Sequence, residues 1–123
     1  MKIAIIIARV LLGLMFVVFG LNGFLHFIPG APPPGPAGAF VGAMFQSGYF
    51  QAVAVFQIAG GALLLSGRYI ALGLTLLGPV IVNILFFHIF LEPTGLPIAI
   101  VVSCLALFLL WACRDRFAPI LKA

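Results

Sequence analysis

The sequence predicts an all-α membrane protein, a polytopic bundle of four transmembrane helices with both termini cytoplasmic, and three observations predict it. Of 123 residues, 65% are hydrophobic and only 7% charged, so polar groups are too few to cover a soluble core. The length leaves room for roughly four apolar runs of about 20 residues, the number a helix rising about 1.5 Å per residue needs to cross about 30 Å of hydrocarbon. Lys2, Arg68, Arg114, Arg116 and Lys122 fall on one side of such a model and Arg9 lies near it, while both opposite loops lack Lys and Arg. That asymmetry sets the orientation. The apolar runs lack the alternation of a membrane barrel and exceed the length of its strands. A formal charge of +4, spread over membrane borders, makes no basic patch and excludes nucleic acid as a partner. Residues 1–123 therefore read as one domain.

The first predicted helix covers residues 3–27. Lys2 precedes it, Arg9 is near enough to its inner end to snorkel to headgroups, and Gly13, Gly20 and Gly23 would let a neighbouring helix approach. The triplet Ala37-Gly38-Ala39 resembles a signal cleavage site. The preceding apolar region is far longer than the ~7 to 15 residues usual there, so a retained helix is expected. Asn22 and His26, four apart, share a face near the far end of this helix.

Residues 29–48 form the predicted outer loop. The run P-G-A-P-P-P-G-P cannot continue a helix, because proline lacks the amide donor and restricts the residue before it. In its second half, Phe40, Val41, Met44 and Phe45 recur near helical spacing, which predicts a short interfacial helix or a cap over the bundle mouth between Ala37 and Phe45.

The second span, 49–66, carries Gln57 near its middle and the paired Gly60-Gly61 just after. An amide at that depth requires a hydrogen-bond partner. The third span, 69–91, contains Gly78-Pro79, expected to kink it, and then the segment N-I-L-F-F-H-I-F-L-E-P. There His88 and Glu92 lie about 40° apart around the helix, so the carboxylate can reach the imidazole, whereas Asn83 lies about 140° from His88. Glu92-Pro93-Thr94-Gly95 has turn chemistry and makes the third and fourth helices an antiparallel hairpin. In the fourth span, 96–113, Ser103 can bond back to its own helix and Trp111 sits at an interfacial position. Cys104 and Cys113 are roughly 13 Å apart along that helix, too far for a disulfide, and no C-x-x-C motif is present.

Depth turns the scattered polar residues into a candidate binding site. His26 and His88 fall about 2 to 5 Å inside the outer helix ends, and Asn22, Gln57 and Asn83 about 8 to 12 Å, with Glu92 at the edge. Such a group, walled by Phe86, Phe87 and Phe90, suits an amphipathic ligand. It equally suits a hydrogen-bond network that ties helices together.

Three segments resemble the DoxX family over nearly the whole chain. They are F-G-L-N-G-F at Phe19 to Phe24, I-A-G-G-A-L-L-L-S-G-R at Ile58 to Arg68, and G-P-V-I-V-N-I-L-F-F-H-I-F-L-E-P at Gly78 to Pro93. The resemblance implies a four-helix bacterial inner-membrane protein. It also implies an association with quinone-linked redox chemistry, since the family is named after a small subunit of an archaeal thiosulfate:quinone oxidoreductase. Relatives often carry a Glu before the paired glycines where this chain has Gln57, so a proton-transfer role at that position is not expected here.

Two functional classes follow. In the first, the chain is a redox-associated subunit in which His26 or His88 hydrogen-bonds a quinone oxygen and Glu92 orients His88 or exchanges its proton. Quinone is preferred as ligand over a haem held between His26 and His88. With no c-type haem motif or cysteine cluster, electrons would have to come from a redox protein partner or a bound cofactor. In the second, the chain is a non-enzymatic scaffold or assembly subunit, packing against membrane protein partners or its own copies through glycine-lined faces. A transporter fits less well, because no internal repeat or midplane charge is evident. No residue is assigned a catalytic or metal-binding role.

Overall fold

The structure is a computed structural model that describes residues 1–27, 30 and 32–122. Among these residues every regular element is helical and no strand occurs. The helices are α1 (Lys2–Leu25), α2 (Gly35–Ser47), α3 (Tyr49–Ser66), α4 (Ile70–Phe90), α5 (Leu96–Ala112) and the single turn α6 (Arg114–Phe117). Short 3-10 turns at Pro93–Gly95 and Ala118–Leu121 precede α5 and follow α6. Four helical stretches, Lys2–Leu25, Tyr49–Ser66, Ile70–Phe90 and Pro93–Ala112, are long and apolar enough to cross a membrane.

The helix ends follow from individual residues. The first helix stops at Leu25, two residues before the expected end, because His26 turns into the left-handed region at φ 51° and ψ 43°. Its amide donates to the Asn22 carbonyl at 2.9 Å. A side chain in that region costs roughly 1 to 2 kcal/mol, which glycine avoids. His26→Gly is therefore predicted to raise the thermal stability of the detergent-solubilised protein by about 1 kcal/mol. A loss of stability would mean that the packing of the His26 ring, 5.6 Å from that of Phe45, outweighs the strain.

The expected loop contains a longer helix than its spacing suggested. α2 begins at Gly35, the seventh residue of the proline-rich run, with Pro36 in the first turn, where a missing amide removes no helical bond. Residues 29 and 31 of the expected loop lie outside the described residues. Ala37, first in the cleavage-like triplet, is only 1% exposed within α2. Gly67 ends α3 at φ 75° and Tyr69 starts α4 at φ 57°, so the third span begins at Ile70 rather than Tyr69. α4 continues as a helix through Pro79.

The spans close into a ring in which α1 packs on α3, α3 on α4, α4 on α5 and α5 back on α1, while α2 lies against α3. Consecutive spans run antiparallel: Gly13 of α1 faces Gly61 of α3, Gly20 faces Gln57, and Gly23 faces Phe50 and Ala54. Each spanning helix contributes one fully buried leucine, Leu12, Leu64, Leu77 and Leu109. These belong to the apolar core, which also holds Ala8, Phe16, Leu74 and Val80 and fills the half of the bundle nearest Arg68 and Arg114. Towards the opposite end, the mouth, buried positions become small or polar, with Gly20, Gly23, Ala54, Gln57 and Ala99.

Adjacent glycines let α3 approach two helices at once. On a helix Gly60 and Gly61 point about 100° apart. A Cβ on Gly61 would fall 2.8 Å from the Gly13 carbonyl oxygen, and one on Gly60 would fall 3.1 Å from that of Gly73. All four glycines are buried within the chain. These glycine faces are thus occupied by the protein's own helices rather than open to a partner.

Candidate functional site

The mouth is roofed by α2, whose aromatic side chains meet His26 of α1 directly and His88 of α4 only through Phe87. Phe45 stacks on Phe50 of α3, with ring centroids 4.4 Å apart, and also contacts His26. Five residues earlier, Phe40 meets Phe87 of α4 at 5.7 Å, and Phe87 in turn meets His88 edge-on at 5.2 Å. Each histidine is therefore joined to the roof through different rings. The predicted wall residues Phe86 and Phe90 contact one another at 6.3 Å and are largely exposed.

His88 and Glu92 do meet, but not as the spacing suggested. Nδ1 of His88 lies 2.9 Å from the backbone carbonyl oxygen of Glu92, and the Glu92 carboxylate is taken by the Thr94 hydroxyl. The physical reason is that α4 ends at Phe90. Leu91 and Glu92 both direct their amides at the Phe87 carbonyl, and Glu92 leaves the helix at φ −142° and ψ 81°. Helical four-residue geometry no longer applies to its side chain. A carbonyl can only accept, so Nδ1 donates and, in the neutral imidazole, Nε2 is left as an acceptor. The ring is seated on Gly95, where an added Cβ would come within 2.5 Å of Nδ1.

The other predicted residues divide between the interior and the surface. Gln57 is 7% exposed, sits against Gly20 of α1, and has a buried Oε1 that accepts no hydrogen bond. Asn22 is half-buried near the end of α1 and its carbonyl caps the helix. Asn83 does not join the group: it is exposed and donates through Nδ2 to the Pro79 carbonyl of its own helix at 2.8 Å. A mid-helix amide side chain can reach the carbonyl four residues earlier, and here it serves its own backbone.

One member was not foreseen. Gln51, one turn into α3, donates through Nε2 to the Gly23 carbonyl of α1 at 3.5 Å, and its buried Oε1 also lacks a partner. Gln51 at Gly23 and Gln57 at Gly20 both lie against α1, although six residues set them about 120° apart around α3, so spacing gives no signal of their grouping. The mouth thus presents three acceptor positions: Oε1 of Gln51, Oε1 of Gln57 and Nε2 of His88. Beside them, Nε2 of Gln51 already donates to the Gly23 carbonyl.

Two apolar grooves of about 350 and 300 Å³ lie elsewhere, along α4, α5 and the C-terminal turns, and none of the six predicted residues lines either. Among the described residues, no three His, Cys, Asp or Glu side chains gather as a metal centre. Cys104 and Cys113 are both free, as their separation requires. No family model, curated protein or solved structure matches this chain.

Proposed function

We propose that this chain is a small, DoxX-like integral protein of a bacterial inner membrane, with both termini cytoplasmic, that holds a hydroquinone at the mouth of its bundle for a redox partner. One observation carries the reading: two amide oxygens at the mouth, Oε1 of Gln51 and Oε1 of Gln57, are buried and accept no hydrogen bond. A hydroquinone presents two hydroxyl donors on a flat ring, whereas the oxidised quinone presents two carbonyl acceptors. Leaving a buried amide oxygen unpaired costs about 1 to 3 kcal/mol, so a hydroxyl that reaches Gln57 or Gln51 recovers that amount. The Phe45, Phe50 and Phe87 rings supply flat apolar surface beside them. Glu92 then orients His88 through its backbone rather than through its charge.

Selective stabilisation by the reduced ligand tests this reading. A short-chain hydroquinone should raise the unfolding temperature of the detergent-solubilised protein more than the matching quinone does. Gln57→Leu should stabilise the ligand-free protein by about 1 to 3 kcal/mol, by removing the orphaned oxygen, and abolish the hydroquinone-dependent rise. Equal stabilisation by quinone and hydroquinone, or an undiminished shift in Gln57→Leu, would sink the proposal.

A further inference from the structure

We infer that the α4–α5 face is a binding site for an anionic diacyl phospholipid, with one acyl chain laid between the two helices and its phosphate on Arg114. The two grooves share Leu107, Leu110 and Phe117, so they adjoin along α5. Their deep end is lined by Leu85 and Ser103, with Gly78 part way along, and their other end opens beside Trp111 and Arg114. Along α5 the distance from Ser103 to Arg114 is about 16 Å, close to the roughly 15 Å hydrocarbon depth of one leaflet.

The lining suits a hydrocarbon chain. Ser103 spends its hydroxyl proton on the Ala99 carbonyl at 2.8 Å, so it places no free donor in the groove. At Gly78 a Cβ would meet no atom within 4 Å. The missing side chain leaves the groove open rather than serving a tight helix contact.

Charge complementarity selects the headgroup. Arg114 lies 4.7 Å over the Trp111 ring and donates through Nη1 to the Trp111 carbonyl at 2.8 Å, which fixes the guanidinium at the groove's end. Of its five N–H donors, one is engaged by that bond, and among the described residues Arg114 forms no ion pair. Arg116 and Lys122 add positive charge on the same segment against Asp115 alone. A guanidinium takes a phosphate through two parallel hydrogen bonds, and tryptophan belongs at headgroup depth. A choline headgroup would bring its own cation to this cluster, whereas a glycerol headgroup leaves the phosphate charge uncompensated.

Native mass spectrometry of the full chain, titrated with dioleoylphosphatidylglycerol or dioleoylphosphatidylcholine, tests the assignment. One phosphatidylglycerol is expected to bind about tenfold more tightly than phosphatidylcholine. Arg114→Gln, at an exposed position, should erase that preference. Gly78→Leu, whose side chain grows into the groove, should weaken both lipids about tenfold and keep the preference between them. Equal affinity of the unaltered protein for the two lipids, a preference that survives Arg114→Gln, or unchanged binding in Gly78→Leu would overturn it.

Discussion

Gly61→Leu is expected to abolish the folded bundle, and Gly61→Ala to lower its stability by about 2 to 3 kcal/mol, the upper part of the range for an overfilled core. The reason is that the obstruction is backbone. Cβ atoms built on Gly61 and Gly13 would lie 2.8 and 2.9 Å from the opposite carbonyl oxygens, and no side-chain rotation relieves either contact. To accept even a methyl group, α1 and α3 must separate, which loosens the packing of Gly20 on Ile58 and of Gly23 on Phe50 as well. Gly42→Ala in α2 supplies the control, because a Cβ there meets nothing within 4 Å. Thermal unfolding in detergent and retention on size exclusion separate the cases. If Gly61→Leu survives as well as Gly42→Ala, the α1–α3 packing described above is incorrect.

Much of this architecture was legible in the chain, for reasons of scale. Crossing a membrane demands about 20 apolar residues per helix, and at four positions the sequence meets that demand; the expected span ends lie within two residues of those observed. The remaining offsets trace to single residues. His26 ends α1 early by adopting a conformation usually reserved for glycine, which no periodicity announces. The glycines were legible as sites of close approach, but not as contacts within the chain, because pattern alone cannot say whose helix fills a notch.

The polar residues were less legible, since side-chain direction at a helix end depends on where the helix stops. Four-residue spacing brought His88 to Glu92, yet the loss of helix after Phe90 exchanged carboxylate for carbonyl. Asn83 shows the same limit from the opposite side. A mid-helix asparagine can bond to its own backbone four residues earlier, and here it does. Gln51 is not legible because an amide near a helix start reads as surface, whereas here it reaches across to the Gly23 carbonyl of α1.

Gly95→Ala is expected to reduce hydroquinone affinity about tenfold, a change of about 1.4 kcal/mol, while costing the fold only about 1 kcal/mol. The backbone at Gly95, φ −90° and ψ 1°, is open to alanine, so no strain arises from the chain itself. What the methyl group meets is the His88 ring, 2.5 Å from Nδ1 and 3.0 Å from Nε2. The ring must swing away, and its bond to the Glu92 carbonyl breaks. Freed of that bond, the imidazole is no longer held with its proton on Nδ1, and Nε2 ceases to be a fixed acceptor. Nitrogen-15 chemical shifts of the His88 ring should therefore move from a single Nδ1-protonated tautomer to a mixture. The effect must run through His88: in a His88→Ala background, Gly95→Ala should change neither stability nor affinity further. Undiminished binding in Gly95→Ala with a displaced tautomer would separate the His88 latch from the ligand and leave the buried amides of α3 as the only acceptors that matter.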